Sequence, residues 1–264
     1  MSPRSAHSRG HTLPELTIAL ALGMLIVTAC LSLYGAQRAA FERAADVARM
    51  HDAASIALDM IGQQIQMAGF LSGPYTGADL AAPVFGCAQG RVSGADAAAS
   101  CESLAGRSDG VQVRYFADTV STWPTSGGAP TDCLGQAVSD VFVTNRFYAK
   151  TSASTGEPEL YCEGGGRQAQ PIVEGIERIR AMYWLTGAPA ALDASSIARE
   201  RWRDVYAADI CVLVRGFAAQ SKRRVSYIGC DGTSAYADDG RVRQTFWRRV
   251  TLRNAPATPT RGAR

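Results

Sequence analysis

The chain is 264 residues long, 47% hydrophobic and 19% charged, with 26 glycines, 11 prolines and seven cysteines; this composition excludes a disordered, collagen-like or wholly coiled-coil protein. The formal net charge is only +3. Seven arginines and no acid lie between Arg241 and Arg264 and two more arginines lie in residues 1–10, so the body between stands at −6, which excludes a uniformly basic nucleic-acid binder.

The first predicted element is apolar. Leu16–Gln37 (LTIALALGMLIVTACLSLYGAQ) carries no charge; as helix it spans about 33 Å, against a bilayer core of about 30 Å. A buried core helix is the alternative, but the length and the position near the N-terminus favour a membrane span. No A-x-A-like site closes the run, so it is not an ordinary secretory signal. The two arginines of MSPRSAHSRG hold that end in the cytoplasm and place the bulk of the chain outside. Glu15 sits at the edge of the run, where an unpaired carboxylate costs about 3 kcal/mol in lipid. It is either a charge at the interface, favoured by the positive end of the helix dipole, or a group with a partner.

From Arg38 to Met67 the pattern becomes amphipathic. Ala53, Ala57, Ile61 and Ile65 recur every four residues, flanked by Ile56 and Met60, while Glu42, Arg43, Asp46, Arg49, Asp52 and Asp59 fall mostly elsewhere. No proline lies between Pro14 and Pro74, so one continuous helix is expected, with Gly69 as its stop. The segment 71–108 reads as irregular. Strands are expected at 111–117, 141–149, 159–162, 176–185, 210–217, 223–228 and 245–253, each rich in β-branched or aromatic residues. The fold class is α+β, a long N-terminal helix against an antiparallel sheet.

Two sets of motifs carry a resemblance. The basic leader, Gly10, the short segment His11-Thr12-Leu13-Pro14, Glu15 and the apolar run resemble the class III signal shared by type IV pilins and the pseudopilins of type II secretion. The segments Ala57–Met60 to Ala68–Phe70, Asp132–Gly135, Val143–Tyr148, Leu160–Cys162, Val173–Glu177 and Val250–Asn254 resemble PilW-type minor pilins. The resemblance implies cleavage after Gly10 by a prepilin peptidase, methylation of the new amine on His11 (where the family usually has phenylalanine), and an ion pair between Glu15 and the N-terminal amine of a neighbouring subunit. It implies a leader at 1–10, a transmembrane half at 11–37, an amphipathic half at 38–70, a periplasmic head at 71–254 and a flexible tail at 255–264. The implied function is that of a minor pilin in a tip or priming subcomplex, with other minor pilins, the major pilin, the inner-membrane assembly platform and a tip adhesin as partners. A minor pseudopilin is the alternative. No cofactor and no catalysis are implied.

Cys30 lies in the apolar run, and six cysteines remain for an exported head, where disulfides are expected. Several connectivities are open; the favoured one is sequential, with Cys87–Cys101 closing an irregular loop, Cys133–Cys162 joining neighbouring strands and Cys211–Cys230 crossing a hairpin. The three histidines all precede the head and there is no C-x-x-C, which leaves a zinc site unsupported. Gly106-Arg107-Ser108-Asp109-Gly110 matches a nucleophile elbow, but a strand follows it and no histidine comes later, so a turn is expected. Asp231, Asp238, Asp239 and Gly240 lack the spacing of a calcium loop, and Gly164-Gly165-Gly166 lacks the lysine of a phosphate loop. Arg241, Arg243, Arg248 and Arg249 surround Phe246 and Trp247, near Arg215, Lys222, Arg223 and Arg224. This run is a solvated strand face first, a contact for an acidic partner second and a DNA-binding stripe third.

Overall fold

The computed structural model describes residues 12–77, 80, 82–95, 98–165, 167–219 and 224–255. Helix α1 runs without interruption over Leu13–Met67, 55 residues. Its apolar part from Leu13 to Tyr34 exposes leucines, isoleucines and Met24, and by length and composition it could cross a membrane. Its threonine and serine hydroxyls are satisfied within the helix: Thr17 donates to the carbonyl of Pro14, Thr28 to those of Met24 and Leu25, and Ser32 to that of Ala29, which suits an apolar medium.

Two compact units divide the chain, residues 1–46 and 47–264. In the second unit, Met50, Ala53, Ala54, Ala57, Leu58, Ile61 and Ile65 are buried, the three-and-four spacing of a helix face pressed on a sheet. The expected flank is corrected on one side: Met60 packs against the core, whereas Ile56 points outward and is half exposed. Asp46, expected on the polar face, is buried. α1 stops where Gly69 adopts φ +77 and donates its N–H to the Arg114 carbonyl, a left-handed end that glycine takes without Cβ strain.

Thirteen strands follow among the described residues. β1 (Val84–Cys87), β4 (Gly110–Phe116), β5 (Phe142–Thr151), β6 (Pro158–Gly164) and β7 (Gln170–Glu174) form a five-stranded sheet in the order β1-β4-β5-β6-β7. β8 (Ile176–Leu185), β9 (Leu192–Asp193), β10 (Val205–Ala219) and β13 (Arg241–Thr251) form a four-stranded sheet in the order β13-β10-β8-β9. β2 (Gly90–Ser93) pairs with β3 (Ser100–Ser103), and β11 (Val225–Ile228) with β12 (Ser234–Ala237); all pairings are antiparallel. The expectation of an irregular 71–108 is therefore corrected. β1 is held by β4 and by Gly86, whose missing Cβ makes room for the Tyr183 ring, and β2 and β3 hold each other.

One core joins α1 to both sheets, with Ile61 and Ile65 meeting Val113, Phe147, Ile179, Ala208 and Val250 in a single apolar cluster. Truncating either isoleucine to alanine is expected to cost about 2–5 kcal/mol. Trp202 closes one end, its ring 5.0 Å from Phe85 and 4.8 Å from Tyr183. Disulfides join Cys87 to Cys101, Cys133 to Cys162 and Cys211 to Cys230, and Cys30 is free and exposed.

Candidate functional site

Gly10 and His11 lie outside the described residues, as do Lys222, Arg223, Gly166 and the tail from residue 256. Glu15 occupies the first turn of α1. Its Oε2 accepts the backbone N–H of Thr12 at 3.3 Å, one arm of a capping box whose signature, Thr12-Leu13-Pro14-Glu15, was readable as T-x-x-E. Pro14 sits where no helical partner for its missing N–H is needed.

The four arginines of β13 are engaged by acids from other elements. Arg241 donates to Glu157 at 2.7 Å. Arg243, with its side chain only 7% exposed, bridges Glu177 at 2.7 Å and Asp239 at 2.8 Å. Arg248 pairs with Asp59 of α1. Arg249 forms a two-pronged contact with Asp209 at 2.6 and 2.8 Å and lies 4.5 Å over Trp184, whose Nε1 donates to the same carboxylate. Nearby, Arg215 pairs with Glu157 and Arg224 with Asp238. Acids of the body thus neutralise the four arginines of β13 residue by residue, and the carboxylates respond: the Arg243 guanidinium holds Asp239 down at about 2, Arg249 lowers Asp209, and Arg241 and then Arg215 lower Glu157.

The G-x-S-x-G match holds no nucleophile. Ser108 is fully buried; its Oγ accepts the N–H groups of Ala149 at 3.3 Å and Ile179 at 3.0 Å and donates to the Asp109 carbonyl. Asp109 accepts from Gln89 and Ala181. The pair links the two sheets. Asp231 closes a turn through Thr233, while Asp239 accepts the Arg241 N–H as well as Arg243.

A cleft escaped the sequence reading. About 460 Å³ opens between the end of α1, β4 and the loop after β4. Its polar wall is built in steps. The Cys133 N–H donates to Asn145 Oδ1 at 3.0 Å, which fixes that amide. Asn145 Nδ2 then donates to Gln64 Oε1 at 2.7 Å, and the Tyr115 hydroxyl donates to the same oxygen at 2.8 Å. Burial pushes the Tyr115 phenol up to about 12, so it remains a donor. With its oxygen doubly occupied, Gln64 presents its NH₂ as the remaining polar group. Asp132, 93% buried by its 7% exposure, also lines the cleft; its Oδ1 accepts from Leu134 and Gln136, while its Oδ2 has no partner among the described residues. Trp123 stands at the rim, 86% exposed, although Thr131 Oγ1 donates to its carbonyl and holds its backbone.

A helix long and apolar enough to cross a membrane, joined to antiparallel sheets with three disulfides, defines the class: a helix-led α+β protein with a disulfide-bonded head. Residues 146–254, from within β5 to just past β13, match the family model Type IV Pilus-assembly protein W. The PilW resemblance stands on that span, which includes Leu160–Cys162, Val173–Glu177 and Val250–Asn254; Ala57–Phe70 and Asp132–Gly135 lie outside it. The chain is also similar to a type IV-like pilin from Thermus thermophilus at 14% identity and TM-score 0.41, covering 78% of this chain and 97% of that one. None of the curated proteins matches.

Proposed function

We propose that the protein is a minor pilin of a type IV pilus that enters a tip or priming subcomplex and promotes assembly. The observation that carries this reading is the PilW-family match over 146–254, on a chain whose helix is apolar enough to cross a membrane. In this reading a prepilin peptidase cuts after Gly10, the span 11–37 holds the subunit in the inner membrane, and the head stands in the periplasm. Assembly moves the helix from lipid into a bundle of like helices, where apolar side chains exposed in the single subunit find partners without losing burial. Glu15 then meets the new N-terminal amine of a neighbour, and the charge that is costly in lipid becomes half of a pair.

The test is deletion and complementation. Loss of surface pili on deletion, restored by the intact chain, is the expected result. Normal pili with a defect in secretion of extracellular enzymes would transfer the protein to a type II secretion pseudopilus.

A further inference from the structure

The cleft beside Trp123 takes no part in the ion pairs of the β13 arginines, and nothing in the assembly reading uses it. We infer that it is a binding site for a neutral saccharide, with the Trp123 indole as its stacking platform and the Gln64 amide, beside those of Gln63 and Gln66, as its polar wall.

Three observations select this chemistry. The cleft's volume of about 460 Å³ lies within the range of small-ligand sites, about 300–1,000 Å³. Its lining combines a large rigid aromatic at the rim with amides and hydroxyls, among them Gln63, Gln66 and Thr122. A wholly apolar occupant would strand those groups. Its charges are the Asp132 carboxylate, whose oxygens are bonded to backbone N–H groups or shut against Gly164, and one exposed guanidinium, Arg253, so the surface open to a ligand is mostly neutral. A sugar ring offers both surfaces at once: a C–H face for the indole and hydroxyls that accept from an amide NH₂ and donate to an amide carbonyl.

The polar wall is also set in advance. The chain of bonds from the Cys133 N–H through Asn145 to Gln64 leaves the amide one orientation, and the Cys133–Cys162 disulfide ties its origin to β6. Little ordering remains to be done on binding, which is where small polar ligands lose affinity. The inference is independent of the pilus reading, since it rests on the end of α1 and the head and not on the apolar run.

The experiment uses the full chain in a detergent without a sugar headgroup, titrated calorimetrically with lactose, cellobiose, N,N′-diacetylchitobiose and the acidic sialyllactose. Binding of at least one neutral disaccharide is expected, weakened at least tenfold by Trp123→Ala and largely retained by Trp123→Phe. Trp247→Ala, which removes an exposed indole on β13, should leave it unchanged. Intact disulfides and an unchanged circular dichroism spectrum establish that Trp123→Ala is folded. The proposal is overturned if no neutral disaccharide binds at millimolar concentration, if only sialyllactose binds, or if Trp123→Ala binds as well as the parent. Absence of sugar binding together with weaker cross-linking of Trp123→Ala to a neighbouring subunit would make the cleft a protein contact instead.

Discussion

Asp109 Oδ2 accepts the backbone N–H of Ala181 at 2.9 Å, so a side chain at the start of β4 in one sheet completes the hydrogen bonding of β8 in the other. Replacement by alanine strands two N–H groups, those of Gln89 and Ala181. A loss of about 1–4 kcal/mol is expected: about 1–3 kcal/mol for the buried Ala181 N–H and about 1 kcal/mol or less for that of Gln89, which lies nearer the surface. Denaturant unfolding measures it, and a loss below about 1 kcal/mol would deny the joint its structural role.

The same carboxyl and Asp239 shift in opposite directions. Burial raises Asp109 above the ordinary carboxylate range, so the folded chain holds this proton more tightly than the unfolded one, and its contribution falls as pH rises through that window. Asp239, bonded to Arg243, lies at about 2; its contribution is present above the unfolded value of about 4 and is lost as pH drops toward 2. Asp239→Asn should therefore flatten the acid limb of the stability–pH curve below about pH 4, read from melting temperatures of parent and variant across that range.

The engaged arginines predict weak attraction for nucleic acid. With Arg241, Arg243, Arg248 and Arg249 each on a carboxylate, β13 carries little uncompensated charge to displace counterions from phosphates. The purified chain should not retard duplex DNA in a gel even at low salt. A salt-dependent shift abolished by Arg248→Ala with Arg249→Ala would restore the DNA reading.

Most of what was legible in the sequence followed from periodicity. α1 was readable because its apolar, proline-free run and its four-residue stripe both demand helix, and β8 was expected at 176–185 and runs over those residues, since its alternation matches a sheet with one face on the core. β7, β9 and β12 are short and polar, and β1–β3 lie in a small-residue segment; strands of this kind are strands only because a partner holds them. The cleft was illegible for another reason. Gln64 meets Asn145 across 81 positions of sequence and Tyr115 across 51; Asn145 falls in the quoted segment Val143–Tyr148, but nothing in that segment names its partners. The acids that quench the basic end come from α1, the β6 approach, β8 and β10, so charge counting found the excess but not its partners.

Processing after Gly10 is expected from the leader pattern. Intact-mass measurement of protein from the native membrane should give a chain beginning at His11, with or without one added methyl group. A mature N-terminus near residue 35 would mean that the apolar run is removed.

Glu15 makes one capping bond and is proposed to make an intersubunit ion pair, and two substitutions divide the two. Glu15→Gln keeps an oxygen able to accept the Thr12 N–H but removes the charge, whereas Glu15→Leu removes both. Loss of the capping arm alone is worth about 0.5–2 kcal/mol and should leave membrane level unchanged. If the ion pair drives assembly, both variants are processed normally and both lack pili. Piliated Glu15→Gln cells would leave Glu15 with its helix-capping task alone.

The residues just after β13 are fastened to the end of α1. The Arg253 N–H donates to the Gln66 carbonyl, Asn254 Nδ2 reaches the carbonyls of Met67 and Ala68 at 3.4 Å, and Arg248 grips Asp59. With His51 beside Phe246 at one end and Gln66 beside Arg253 at the other, β13 runs in the same direction as the helix it covers. Tension drawn along residues 47–67 therefore passes into β13 lengthwise, and from there into the β10 ladder, paired from Ala207–Thr251 to Arg215–Arg243. A ladder pulled along its strands must slide as a whole, whereas one pulled across them opens a bond at a time. This head is wired for the first geometry: a pull on its helix meets the summed resistance of the longest strand pairing in the molecule.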